Sequence, residues 1–358
     1  MKPVATSNVY QIKTALESFR ESWFQPAPKL IPTGIVALDE WLGGGLMPDS
    51  LAVVVAGTGR GKTPLVIQIA SHWIAQGHGV LFIETELTQA ETLARFLGPR
   101  LNVPWLDVLL KKPHIRDSDI QQVAESALGT LAIHNWRAGQ DITSIIDSCP
   151  DSLGPNPHII IDHMGDLARS NVEGSDFRAP TARIVGTLKA LATERRQKIL
   201  LVVQTPRYVT NDQGKPSKSR KGRDYEATAK DAGEIEFDTA ELFYLESDPC
   251  PPGGLATAKI HVAKARGAPP NGVIPVRFDA AVGRFLSDEQ AAQESTADTQ
   301  RVLDALAHGK PVGVKILMSR LGMGHSRAKK CLDDLVRAGT IHHDPATGYR
   351  AASVPSHP

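Results

Sequence analysis

The sequence predicts an α/β fold built on a mostly parallel central sheet, followed by a small C-terminal winged helix-turn-helix. Three observations carry this. Short, wholly apolar, β-branched runs alternate with helix-like segments, as expected for strands buried on both faces of a parallel sheet. One such run, "LAVVVA" at 51–56, passes straight into the glycine-rich "GTGRGKT" and then into an apolar helix-like stretch. Beyond a polar, acidic stretch at 287–298, the chain offers three short amphipathic segments and a hairpin pattern, "TIHHDPATGYRA".

In chain order, residues 1–30 read as a helical lead-in, with apolar residues at helical spacing in "VYQIKTALESF". A turn, a short helix and a glycine cluster, "IPTGIVALDEWLGGGL", precede the first strand. "PLVIQIASHWIAQ" reads as a helix stopped by Gly77, "VLFIET" as a strand, and "TQAETLARFLG" as a helix opened by Thr88 and Glu91 at capping-box spacing. "HIIID" and "ILLVVQT" read as buried strands around the helix "PTARIVGTLKALATERRQ". "AELFYLE", "AKIHVAKA" and "GVIPVRFDAAVGRF" follow as strands, the last turning near Gly283. These patterns divide the chain into a lead-in (1–30), an α/β domain (31–286), a linker (287–298) and a winged-helix-like domain (299–358). The segments "QRVLDALAHG", "VKILMSRLG" and "HSRAKKCLDDLVRAG" supply its three helices. In the third, Leu332, Leu335 and Val336 are expected to face the core.

No apolar run in the 358 residues reaches the roughly 18–20 that a membrane-spanning helix needs. The three cysteines are isolated, without metal or redox spacing, which suits a cytoplasmic protein. The net charge of +1 excludes nothing by itself, but the charge is unevenly distributed.

Ala56–Thr63 fits the pattern [Ala/Gly]-x-x-x-x-Gly-Lys-[Ser/Thr] between a strand and a helix, the P-loop. The residue types suit a nucleoside triphosphate. The backbone of Gly57, Thr58, Gly59, Arg60 and Gly61 can turn its N–H groups onto phosphate oxygens, helped by the helix N-terminus. Lys62 can reach the β- and γ-phosphates, and the Thr63 hydroxyl can ligate Mg²⁺. A dinucleotide turn is the rival, but its final small position falls on Lys62, which spoils close helix–strand packing. A P-loop also needs a carboxylate for the Mg²⁺ shell, and Asp162 ends a strand where one is required. Glu84 and Glu86, at the end of "VLFIET", are both candidates to polarise the attacking water. The spacing does not choose between them.

The ordered set "IPTGIVALDEWLGGGL", the P-loop, "VLFIETELTQAETLARFLG", "IIIDHMGDL", "TLKALATERRQKILLVVQTPR", "AKDAGEIEFDTAELFYL" and "HVAKARGAPPNGVIPVRFD" resembles the RecA-like ATPase domain of the DnaB and RepA hexameric replicative helicases. KaiC-like ATPases share its opening stretch. The resemblance implies ATP and Mg²⁺ as cofactors, Glu86 as the catalytic glutamate, and Gln204 as the sensor coupling γ-phosphate to a DNA loop. It further implies that Lys264 and Arg266 reach into the neighbouring subunit's ATP, Arg266 as a finger. His163 and Met164 depart from the polar residues usual after the second motif's Asp, and the C-terminal unit lies outside the core family.

Between Gln204 and Tyr225 the chain carries Arg207 and the run "GKPSKSRKGR", with Lys215, Lys218, Arg220, Lys221 and Arg223 and no acidic residue. Cations on flexible backbone suit the phosphates of single-stranded DNA. Residues 168–178 are a weaker candidate. In the third C-terminal helix Arg327, Lys329 and Lys330 are placed for duplex DNA or a protein partner. The expected function is an oligomeric, ATP-dependent DNA translocase or helicase, with a KaiC-like or mobile-element regulatory ATPase as the alternative.

Overall fold

The computed structural model describes residues 13–165, 178–204, 237–250, 254–307, 311–321 and 325–351. Helices α1 (Ala15–Ser22) and α2 (Val36–Trp41) precede strand β1 (Leu51–Ala56). Then come α3 (Lys62–Ala75), β2 (Val80–Glu84), α4 (Gln89–Leu101), α5 (Trp105–Leu109), α6 (Asp117–Ala127), β3 (Leu131–Asn135), α7 (Ile142–Asp147) and β4 (His158–Asp162). After α8 (Arg178–Glu194), strands β5 (Ile199–Gln204), β6 (Glu241–Ser247), β7 (Ala256–Ala265), β8 (Gly272–Asp279) and β9 (Arg284–Leu286) complete one nine-stranded sheet.

Its order is β3-β2-β4-β5-β1-β6-β7-β8-β9. The pairs from β3 through β6 are parallel, and those from β6 to β9 antiparallel. Alternation along β1 shows how both faces are used. Ala52, Val54 and Ala56 join the core against α3, with Leu65, Ile69 and Trp73. Leu51, Val53 and Val55 join the opposite core against α8, with Val185, Leu188 and Ala192. A strand buried on both sides has no polar face, which is why these strands read as unbroken apolar runs.

The expected capping box opens α4, where the Thr88 hydroxyl accepts from the Glu91 N–H and the Glu91 carboxylate accepts from the Thr88 N–H. Gly77 follows α3 at φ 85°, and Gly283, at φ 88°, sits in the β8–β9 turn. The lead-in contains one short exposed helix, α1, and residues 1–12 lie outside the described residues.

The C-terminal unit corrects one expectation. The stretch 287–298, read as a linker, begins a 19-residue helix, α9 (Asp288–Leu306). Ser287 and Gln290 form a capping box there. The first turns face water and need no apolar stripe, so good helix formers and the cap suffice. Helices α10 (Val314–Leu321) and α11 (His325–Arg337) and the antiparallel hairpin β10 (Ile341–Asp344) and β11 (Gly348–Ala351) follow. Val302, Leu306, Leu317, Ala328, Leu332, Leu335, Ile341 and Tyr349 form their own core. Val336, expected inside, is exposed, and Ala328 is packed in the interior. Among the described residues no helix is long and apolar enough to cross a membrane.

Candidate nucleotide site

Four adjacent parallel strands bring the expected residues to one edge of the sheet. The P-loop follows β1, Glu86 follows β2, Asp162 ends β4 and Gln204 ends β5. Ligands of open α/β sheets bind at these carboxyl ends.

The loop itself is built by close packing. Gly61 lies at φ 89°, and a Cβ there would sit 2.9 Å from the Phe285 ring and 3.1 Å from that of Phe278. Those two rings stack on one another beneath the loop, so a larger residue is excluded twice, by backbone and by space. Arg60 directs its guanidinium away from the cradle, donating to the Ser247 carbonyl on β6. The Lys62 ammonium, largely enclosed, donates to the Gly57 carbonyl across the loop at 2.9 Å. Burial pulls its pKa down, opposed by Asp162 and Glu86. Gln204 donates to the Thr58 hydroxyl at 2.8 Å, joining the end of β5 to the loop.

Asp162 is buried at the end of β4, and the Thr63 hydroxyl hydrogen-bonds it. Burial pushes its pKa up, and its Oδ2 has no partner among the described residues. A buried carboxylate oxygen left open beside a P-loop threonine fits a hydrated Mg²⁺, which prefers few carboxylates plus phosphate oxygens and water. Thr63 and Asp162 are the residues that would hold it, and the ion would offset phosphate charge. No cluster of three or more His, Cys, Asp or Glu suited to a metal occurs among the described residues.

The two strand-end glutamates separate. The strand stops at Glu84, so Glu86 lies in the following turn rather than two positions along a strand. Glu86 is exposed, with its Oε1 3.8 Å from Nε2 of the buried His163. Glu84 is enclosed, and its Oε1 accepts from the backbone N–H of Glu86 and Leu87. Burial, then the neighbouring Asp162, lift the Glu84 pKa to about 7. Sequence reasoning weighed Glu84 only as a rival base. It also missed Asn135, on the unrecognised strand β3, whose amide donates to the Leu87 carbonyl at 2.7 Å.

Lys264 and Arg266 sit at the other edge of the sheet. Ala265 pairs with Glu241, Glu241 lies level with Ala52, and the P-loop begins only after Ala56. At about 3.3 Å per strand residue, that leaves roughly 13 Å between the level of Ala265 and the end of β1, and about 17 Å for Arg266, one residue further out. The Arg266 N–H donates to the Ala240 carbonyl, and its side chain is exposed. Beneath lies a buried ion pair: Lys198 donates to Glu241 at 2.7 Å and to Ser50, and Glu241 accepts from the Met47 N–H.

Arg207, Lys215, Lys218, Arg220, Lys221 and Arg223 lie outside the described residues, as do 168–177 of the weaker candidate. On α11, Lys329 and Lys330 are exposed. Arg327 is not offered to a partner, which corrects its expected role as a free nucleic-acid contact. It pairs with Asp298 and with Glu294 of α9, and donates to the Asn102 side chain at the end of α4. Acidic side chains on a neighbouring helix claimed the guanidinium, and the sequence of α11 alone does not reveal them.

The mostly parallel sheet, the P-loop and the carboxylates at the ends of β2 and β4 define a P-loop nucleotide-binding domain of the RecA-like kind. Residues 31–287 match the DnaB-like helicase C-terminal domain family, and the chain belongs to that family. Among solved structures it is similar in fold to an ATPase domain, with a TM-score of 0.58 at 16% identity, covering 76% of this chain and 97% of that one. A DnaB-like replicative helicase, solved in a study of its interactions with primase, gives 0.58 at 17% identity, covering 77% and 68%. Local similarity reaches the DNA repair protein RadA of Mycobacterium tuberculosis, 38% identical over 55 residues, or 15% of this chain and 12% of that protein. The DNA repair and recombination protein RadB of Methanococcoides burtonii is 28% identical over 89 residues, 25% and 40% respectively. The chain thus matches well under half the length of these curated relatives.

Proposed function

We propose that the protein is an oligomeric, Mg²⁺- and ATP-dependent DNA translocase or helicase of the DnaB type, acting in DNA replication or mobile-element maintenance. The observation that carries this is the placement of Arg266 and Lys264 on the sheet edge remote from their own P-loop. Cations so placed serve a neighbour's ATP, and hydrolysis then requires a ring or filament, a hexamer by analogy with the family. In each site Lys62 and the loop backbone hold the phosphates, Thr63 and Asp162 serve Mg²⁺, and Glu86 takes a proton from the attacking water. Gln204, bonded to Thr58, links that event to the chain beyond β5. There Arg207, Lys215, Lys218, Arg220, Lys221 and Arg223 grip single-stranded DNA. The C-terminal unit is read as a winged helix that presents Lys329 and Lys330 to duplex DNA or a protein partner, in the cytoplasm.

A mixing experiment tests the reading. Lys62→Ala and Arg266→Ala are each expected to be inactive in DNA-stimulated ATP hydrolysis. Mixed, they regain activity, because some interfaces join an intact P-loop to an intact arginine. Full hydrolysis by Arg266→Ala alone, or hydrolysis indifferent to single-stranded DNA, overturns it.

A further inference from the structure

We infer that Glu84 is a positioning residue: it fixes the turn that carries Glu86, and so aims the catalytic carboxylate without touching ATP. This rests on the ATPase reading above. Glu84 is the last residue of β2, with 1% of its surface exposed, in a strand otherwise made of Val80, Leu81, Phe82 and Ile83. A carboxyl there is costly unless its polar atoms are used. One oxygen is used twice, accepting from Glu86 N–H at 2.9 Å and Leu87 N–H at 3.0 Å. Those are the donors a chain leaves unpaired when it turns out of a sheet.

The rest of the turn is tied by other groups. Thr85 N–H donates to the Asp162 carbonyl, its hydroxyl exchanges hydrogen bonds with the His163 backbone, and Asn135 holds the Leu87 carbonyl. Thr88 then caps α4. Glu86 is the residue of this turn whose carboxylate is left to solvent, on a backbone held at both neighbours. Glu84 has no such freedom, since its bonded oxygen faces two amides and its other oxygen is enclosed. A neutral amide at position 84 keeps the accepting oxygen, whereas an aliphatic side chain of similar size removes it.

The test is steady-state ATP hydrolysis by the full chain with Mg²⁺ and single-stranded DNA, comparing Glu84→Gln, Glu84→Leu and Glu86→Gln. Glu84→Leu is expected to lower kcat by about 10- to 100-fold with KM for ATP within about twofold, the mark of a misplaced base. Glu84→Gln is expected to recover most of the rate. If Glu84→Leu fails to bind a fluorescent ATP analogue, Glu84→Ala replaces it with the same expectation. Wild-type kcat in Glu84→Leu or Glu84→Ala, which lack the accepting oxygen, overturns the inference, as does a Gln variant no better than Leu. So does a loss cured by raising Mg²⁺, which assigns Glu84 to the metal shell. Full activity of Glu86→Gln strikes the ATPase reading itself, a different failure from any of these.

Discussion

The two edges of the parallel sheet treat buried charge in opposite ways. At the amino edge, Lys198 and Glu241 are fully enclosed and completely matched: the ammonium has a carboxylate and a hydroxyl, and the carboxylate has the ammonium and an amide. At the carboxyl edge, Asp162 and Glu84 are just as deep, yet each keeps one oxygen without a partner among the described residues. Burying an unmatched polar atom is unfavourable by about 1–3 kcal/mol. At Asp162 the open oxygen lies beside the Thr63 hydroxyl, where Mg²⁺ would complete the set. At Glu84 the other oxygen is already spent on the turn that follows β2.

The sharpest way to break this contrast is at the matched edge. Lys198→Met leaves Glu241 buried and alone, and should lower unfolding free energy by about 3–5 kcal/mol in denaturant titration. Adding Glu241→Leu should return most of it, and failure of that recovery would mean the pair does more than fill space. At the open edge, Lys62→Ala should cut hydrolysis by about 10²- to 10³-fold while the melting temperature barely moves. A large drop in melting temperature would show the edge to be structural after all.

His158 tests the amino edge in a subtler way. It is wedged against Trp73 and His78, both ring nitrogens lack partners among the described residues, and burial holds its pKa down at about 3. It is therefore folded as the neutral ring, and the unfolded chain binds the proton more tightly. Stability from this group is complete above pH 6.5 and is lost as pH falls toward 3. Between pH 6.5 and 5 wild type should lose about 2 kcal/mol that His158→Leu does not lose, measured by denaturant midpoints at both pH values. The smallest effect concerns α9: Ser287→Ala removes one cap and should cost about 1 kcal/mol in the stability of the C-terminal unit.

The legible parts of the molecule were those where physics leaves a dense local signature. β1, β2, β4 and β5 stood out because burial on both faces forbids polar residues. The P-loop stood out because its pattern fixes Gly61 and Lys62 and admits only serine or threonine at position 63. β3 did not, because an edge strand such as "LAIHN" is half exposed and mixes polar with apolar residues. The first part of α9, 288–298, reads as a linker because a solvated helix needs no stripe, although Ser287 and Gln290 already carry the capping signal. That Lys264 and Arg266 stand away from their own P-loop, and that Glu84 folds back onto the turn, depend on strand order and on where β2 stops. Neither is written in local spacing.

Arg327 reaches the far end of the helix that begins at the Glu86 turn. Helix α4 has 13 residues and so is a rod about 20 Å long. Its start is pinned beside Glu86, and its finish, at Asn102, is gripped from α11. A tilt of about 3° at the gripped end displaces the other by about 1 Å, an error of the size that costs an enzyme about a hundredfold in rate. If Glu86 is the base proposed above, the C-terminal unit holds a lever on its position, with leverage set by nothing more than the length of one helix.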